Sequence, residues 1–337
     1  MRIVLDAMGS DTHPEPELQA ATEAVQLFGD EIFLVGPEEM LRNRLESMPG
    51  KGKGIHVVNA TETITMQDKG LALALKAKRK GSKTSMAVAM DLVQGGQADA
   101  FLSAGNTGGV VVTAYYRLGM IPGVERPAVT GLFPVKGGHC VVLDIGANPE
   151  VKPEHLLQFA VMGAVYASTL RGVAKPRIAL LSNGEEPGKG NELVKHTFPM
   201  LQNSGLNFIG NVEAKEIFAG EADVVVTDGF SGNIFLKTSE AASKMLVDLL
   251  KEALMSSFLT KMGALLAKPA FSSIRRVMDP GEIGAAPLLG VNGLVFKAHG
   301  RSDARAILNG YRATRQAVQA DLLEKIGNAI QDQVRSM

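Results

Sequence analysis

The sequence has one cysteine, no tryptophan, few aromatic residues (5%) and no excess of either charge, with 35 basic against 35 acidic side chains in 337 residues. Each shortage removes a class of function. Without a charge excess there is no global field to draw nucleic acid, and so few rings offer little base stacking, which excludes nucleic-acid binding as the main role. Cys140 lies in the apolar run Cys140–Leu143 and has no partner for an internal disulfide, which fits the reducing cytoplasm. No uncharged apolar stretch reaches the length of a membrane span, and the N-terminus opens on a strand pattern, Arg2–Asp6, where an export signal would stand. The six histidines never fall at H-E-x-x-H or related spacings, so neither a metal site nor a cofactor is expected.

Nucleotide and covalent-catalysis signatures are missing too. Gly184–Gly190 resembles a Walker loop but is one residue short, and Gly190 stands where Ser or Thr would hold magnesium. No strand pattern leads into G-x-G-x-x-G with a later acidic residue, and no G-x-S-x-G elbow occurs.

What is present is ample apolar material, 45% of the chain, with 21% charged residues, enough for a large core. Short Val, Ile and Leu runs (Arg2–Asp6, Glu31–Val35, Gly54–Asn59, Ala98–Ser103, Ala128–Phe133, His139–Asp144, Pro176–Leu181, Leu206–Gly210, Ala222–Thr227, Gly293–Ala298) alternate with helical patterns such as Glu15–Leu27, Thr84–Gln94, Pro153–Leu170 and Asn191–Asn203. That alternation predicts an α/β fold with a doubly wound, mixed or parallel sheet. No stretch reads as a linker, so residues 1–337 are taken as one continuous unit.

Three strands lead into loops rich in Gly, Ser and Asn: Ser103–Gly109, Ser182–Asn191 and Asp228–Asn233, the last opening a helix at Lys237 or shortly before. Small residues at such junctions let several backbone N–H groups crowd one anion, and the helix dipole favours it. Ligands of doubly wound sheets bind where loops leave the carboxyl ends of strands. The three loops therefore predict one shared cleft for phosphate or an oxyanion.

Eight segments, Asp6-Ala-Met-Gly-Ser-Asp11, Ser103–Gly108, Asp144-Ile-Gly-Ala-Asn148, Lys152–Phe159, Gly184–Glu186 with Lys189–Leu193, Asn207–Glu213, Asp228-Gly-Phe-Ser-Gly-Asn233, and Ala286–Gly290 with Lys297-Ala-His-Gly300, follow one another along nearly the whole chain. In this order the chain resembles the bacterial acyl-ACP:phosphate acyltransferase family of phospholipid synthesis. The resemblance implies transfer of a fatty acyl group from acyl-ACP to inorganic phosphate, giving an acyl phosphate for a downstream glycerol-3-phosphate acyltransferase. It also implies a fold similar to phosphotransacetylases and isopropylmalate dehydrogenases, a homodimer, and peripheral contact with anionic membrane. Departures are Ser10 for a usual glycine, Gly70 where proline often follows the lysine, Ser231 for a common threonine, and Pro187-Gly188, which bears on where Lys189 sits.

Attack of a phosphate oxygen on a thioester needs a held dianion, a stabilised oxyanion and a released thiolate, and demands neither metal nor covalent enzyme intermediate. Lys189 is expected to meet the phosphate or oxyanion charge and Asn233 to donate to the oxyanion. Phosphate binding is expected from the loop of Gly105, Asn106, Thr107, Gly108 and Gly109 and from Gly229, Ser231 and Gly232, with Asn148 and His299 as further contacts. Plainer readings stand beside these. A lysine in a glycine-rich loop is commonly a solvated turn residue, Asp144 and Asp228 fit residues that orient loop amides, as strand-end Asp does when it caps the next helix, and His56 and His139 fit core or edge positions. Two other functions share the features: a CoA-dependent phosphotransacetylase, which lacks support from any adenine-binding signature, and a non-catalytic scaffold for acyl-ACP or membrane.

Between about 238 and 280 a helical protrusion is expected. Leu254, Met255, Phe258, Leu259, Met262, Leu265 and Leu266 share one sector of a helical wheel, and an upstream stripe, Met245, Leu246, Leu249 and Leu250, calls for a break near Lys251–Leu254. On pattern alone, burial in the core or a dimer interface is the simpler reading; the resemblance, with Lys268, Arg275 and Arg276 nearby, favours contact of Leu254, Phe258, Leu259, Met262 and Leu265 with lipid. The run Lys76–Lys80 with Lys83 reads either as a solvated face or as a patch that steers acidic ACP.

Overall fold

The structure is a computed structural model that describes residues 1–79, 81–268 and 279–336. Apolar runs give the strands β1 (Arg2–Asp6), β2 (Glu31–Gly36), β3 (Ile55–Asn59), β4 (Ala100–Ser103), β5 (Ala128–Val135), β6 (Gly138–Leu143), β7 (Ile178–Leu181), β8 (Phe208–Val212), β9 (Val224–Val226), β10 (Ala285–Leu289) and β11 (Leu294–Ala298). They form one sheet in the order β3-β2-β1-β4-β11-β10-β5-β6-β9-β7-β8. Helices α1 (Glu15–Phe28), α2 (Glu38–Glu46), α3 (Gly70–Lys78), α4 (Ser85–Gln94), α5 (Thr107–Arg117), α6 (Pro153–Arg171), α7 (Glu192–Gln202), α8 (Ala214–Ala219), α9 (Gly229–Leu254), α10 (Phe258–Leu266), α11 (Pro280–Ile283), α12 (Ala304–Gln319) and α13 (Leu322–Ser336) complete the chain order.

Alternate residues of each inner strand enter two different cores, which is what a sheet covered on both faces requires. Ile3, Leu5, Leu102, Leu143, Val224 and Val226 pack on the face of α1, α6, α12 and α13, whereas Val4, Phe101, Val142 and Val225 pack on the face of α4 and α5. Both cores run through strands of the two halves of the sheet, so the fold is the α/β architecture expected.

Strand direction departs from the simplest version of that expectation. β1 to β4 and β11 are mutually parallel, and so are β6 to β9, but β11–β10, β10–β5 and β5–β6 are antiparallel pairs. An odd number of reversals makes the two parallel halves run in opposite senses. Ser103–Gly109 therefore leaves the sheet in one strand direction, and the loops after β7 and β9 leave it in the other, so a single row of carboxyl ends does not gather all three.

Within the half formed by β3, β2, β1, β4 and β11, helix α12 is tied to the sheet through Asp30, at the α1–β2 junction. Its carboxylate is 5% exposed, and Oδ2 accepts from Tyr311 Oη at 3.1 Å and Arg315 Nε at 2.9 Å, pinning α12 to β2. Removing one partner of such a cluster strands the others. Asp30→Ala should lower stability by about 2–3 kcal/mol and Tyr311→Phe by about 1 kcal/mol in urea unfolding; equal stabilities for all three proteins would show that the cluster carries no load.

Candidate active site

The segment Asp228–Asn233 is helix, not loop. Asp228 caps α9, its Oδ1 accepting from Ser231 N at 2.8 Å, so the helix starts at Gly229, well before Lys237. The glycines serve close approach in place of a turn: a Cβ on Gly232 would stand 1.9 Å from Asp144 O, and one on Gly229 would stand 2.6 Å from Asn148 O. Gly229 N donates to Asn148 O at 2.8 Å and Gly232 N to Asp228 O at 2.9 Å. With Ser231 N also engaged, the amides of Gly229, Ser231 and Gly232 do not form the anion cradle expected from the sequence.

Asp144 lies beneath this turn, fully buried. Its carboxylate accepts from Val129 N (3.1 Å), Gly146 N (3.0 Å), Ala147 N (2.9 Å), Asn148 N (2.7 Å) and Asn148 Nδ2 (2.9 Å). Burial raises its pKa, and these donors pull the other way. It is a framework residue, in line with the plainer reading. Asn148, itself buried, spends its amide on Asp144 and on Pro127 O at 2.6 Å, so it holds the loop and is not open to phosphate. Asn233 differs: it is exposed on the first turns of α9, and Nδ2 donates to Ile145 O at 3.1 Å, which orients the side chain over Gly146.

The β4–α5 turn is also tighter than a free cradle. Gly105 N donates to Ser103 Oγ at 2.9 Å and Gly109 N to Asn106 Oδ1 at 3.0 Å. A Cβ on Gly105 would meet Met86 at 2.3 Å and one on Gly109 would meet Ile64 at 2.8 Å, so packing alone selects both glycines. Asn106 is the cap of α5, and Nδ2 also reaches Thr65 O (2.9 Å) and Asp68 O (3.1 Å). That leaves the first-turn amides of Thr107 and Gly108 without an acceptor within the helix. Beneath it, Ser103 Oγ donates to buried Asp6 at 2.7 Å, and Ser10 N donates to buried Glu17 at 2.8 Å.

Lys189 stands on the exposed loop after β7, its amide bonded to Glu186 O at 3.1 Å and its stem against Gly184, within its own loop. Among the described residues no hydrogen bond or ion pair links its side chain to Asn233 or to the β4–α5 turn. Nearby, carboxylates of Glu185, Glu213 and Glu216 come within 4.8 Å of one another, but Lys215 Nζ already lies 3.0, 3.0 and 3.3 Å from them. In the basic run, Lys76 pairs with Asp68 (2.8 Å), Arg79 pairs with Glu62 (2.6 Å) and Lys78 lies over Tyr116, while Lys80 falls outside the described residues.

A set that sequence reasoning did not assemble lies farther along α9. Lys237 and Glu240 pair at 3.0 Å, and His299 Nε2 is 3.9 Å from Glu240. Lys297, half-buried on β11, stands in register with Ser103 where the β4–α5 turn begins. Burial, then Lys237, draws Lys297 down to about 8; burial, then Lys297, draws His299 down to about 4, so the imidazole is neutral near pH 7. The signal was available as a charged residue inside the apolar strand Leu294–Ala298.

The apolar stripes of α9 and α10 are not in the core. Met245, Leu246, Leu249 and Leu250 are exposed, as are Phe258 (77%), Leu259 (82%), Met262, Leu265 (64%) and Leu266, while Leu254 is half-buried. Burial in this chain's own core is thereby excluded. α9 ends at Leu254, where the change of stripe predicted a break; Arg275 and Arg276 lie outside the described residues.

The chain superposes on a phosphotransacetylase from Streptococcus pyogenes with a TM-score of 0.64 at 20% identity, over 95% of this chain and 94% of that one, which defines the fold as that of the phosphotransacetylases. A family model described as "Fatty acid synthesis protein" matches residues 1–325. The phosphate acyltransferase of Elusimicrobium minutum (strain Pei191) is 43% identical over 97% of this chain and 95% of its own length, and that of Geobacillus sp. (strain WCH70) is 44% identical over 98% and 99%. The chain belongs to this family, the phosphate acyltransferases among the fatty acid synthesis proteins.

Burial, with Asp6 nearby, pushes Glu17 up to about 7. Its folded pKa exceeds the unfolded value, so its contribution is greatest below about 4.5 and is lost as pH rises through about 7. Glu17→Gln should remove that dependence and leave the protein on the order of 3 kcal/mol more stable than wild type relative to their difference at pH 4.5, when both are unfolded in urea at pH 8. Parallel stability curves across this range would contradict the assignment.

Proposed function

We propose that this enzyme transfers a fatty acyl group from acyl-ACP to inorganic phosphate. The observation that carries the reading is the match of nearly the entire chain to phosphate acyltransferases at 43–44% identity. An oxygen of HPO₄²⁻ attacks the thioester carbonyl; the C–O bond forms, the C–S bond breaks, and the phosphate proton ends on the departing thiol. Acyl phosphate and free ACP result. Asn233 supplies an oriented amide for the tetrahedral oxyanion, the first-turn amides of Thr107 and Gly108 face phosphate, and His299 lies near the phosphate side. Lys189, exposed on the loop after β7, meets the charge of the bound phosphate or the developing oxyanion. The product is an activated acyl group of the kind a glycerol-3-phosphate acyltransferase consumes. The working protein is a cytoplasmic homodimer, and the exposed stripe Phe258–Leu266 rests on anionic membrane; no described helix is long and apolar enough to cross one.

Incubation with a long-chain acyl-ACP and phosphate should release free thiol and a hydroxylamine-reactive acyl phosphate. A non-catalytic scaffold would give neither, and a CoA-dependent enzyme would prefer acetyl-CoA. Asn233→Ala should cost about 2–4 kcal/mol of transition-state stabilisation with little change in KM for phosphate, and Asn233→Asp should be slower still, since it sets a negative charge beside a developing anion. An Asp variant as fast as the Ala variant would remove the oxyanion role. Lys189→Ala should lower kcat without lowering Tm; normal turnover in a folded variant would take Lys189 out of the site.

Phe258→Glu and Leu265→Glu should abolish cosedimentation with anionic vesicles while leaving a folded dimer, because the apolar face supplies most of the interfacial free energy and each nearby lysine adds only about 1 kcal/mol. Monomerisation or aggregation of these variants would place the stripe at a protein interface instead.

A further inference from the structure

We infer that Lys297, flanked by Lys237, is the cationic seat of the phosphate substrate, a binding residue of the acyl transfer reaction proposed above. Lys297 sits in a strand whose neighbours Val295, Phe296 and Ala298 are buried, and it is itself half-buried. A cation in such a position is costly unless an acceptor meets it. Among the described residues no carboxylate, carbonyl or hydroxyl lies within bonding distance of its ammonium, whereas Lys76, Lys215, Lys237 and Lys244 all have carboxylate partners. The surroundings do not cancel it either. Lys237 adds positive charge, Asp11 and Glu240 negative charge, and Glu240 is already engaged by Lys237 at 3.0 Å. An anion is the missing partner.

Position points to which anion. Lys297 is paired in register with Ser103, and Asp11 N is bonded to Gly300 O at 2.7 Å, so the loops after β1, β4 and β11 converge beside it. The positive end of α5, with the free amides of Thr107 and Gly108, belongs to the same corner. A tetrahedral dianion is the ligand that helix-end amides and an ammonium together suit. The anion would in turn favour the charged amine, whose pKa of about 8 is otherwise pulled down by burial and by Lys237.

The test combines kinetics with chemical labelling. In steady-state assays with acyl-ACP, Lys297→Met should raise KM for phosphate at least about tenfold while KM for acyl-ACP stays constant, and Lys297→Arg should recover most of the loss. In wild type, KM for phosphate should climb above pH 8 as Lys297 loses its proton, with Lys237, Glu240, Asp11 and His299 as the charged or titratable groups facing it; Lys297→Arg should flatten that rise. Acetylation of Lys297 by acetic anhydride, followed by peptide mass spectrometry on the wild-type protein, should be slowed by inorganic phosphate and not by chloride at equal ionic strength. A wild-type enzyme that makes acyl phosphate while Lys297→Met keeps its KM for phosphate, or labelling that phosphate does not slow, would overturn the inference. Protection of Lys297 by phosphate in a protein that makes no acyl phosphate would instead overturn the proposed reaction and leave the anion seat standing. If Lys297→Met does not fold, the arginine variant and the labelling experiment still decide.

Discussion

The structure depends on one carboxylate. Asp144 gathers five N–H donors from Val129, the backbone of the following loop and the Asn148 side chain, and this compact knot is the floor on which α9 begins. Gly229 and Gly232 lie so close to it that no side chain fits at either place. Asn233 takes its orientation from the carbonyl of Ile145, the residue after Asp144. A buried carboxylate is tolerated because its oxygens are met by backbone dipoles in place of water. The exposed amide of Asn233 thus has a fixed position because an inaccessible acid beneath it is satisfied.

Much of this architecture was legible in the sequence. Val and Ile runs marked most strands within a residue or two, because strands covered on both faces must be apolar throughout. β10 was not marked: Ala285–Leu289 is short and contains Pro287, and its role is set by the strands on either side. It pairs with β11 through Ala285–Pro287 and with β5 through Leu288 and Leu289, a long-range arrangement that no local pattern encodes. The opposite sense of the two halves was hidden for the same reason.

The site was legible as chemistry and less so as geometry. Glycine in Ser103–Gly109 and Asp228–Asn233 was read as backbone freedom for cradling an anion, yet Gly105, Gly109, Gly229 and Gly232 have negative φ and are needed for close packing. Both causes leave the same letter in a sequence. Lys189 drew attention from its glycine-rich surroundings, whereas Lys297 and Lys237 meet only because α9 passes over the end of β11. Charges brought together by tertiary structure leave no spacing to read.

α9 has 26 residues and so a length of about 39 Å. Its first turn is clamped on the Asp144 knot and its last turns stand in solvent. Mechanically it is a cantilever. In such a rod any tilt at the root is multiplied along its length, so the seating of the first turn on the Asp144 knot governs where the exposed apolar end stands as well as where Asn233 sits.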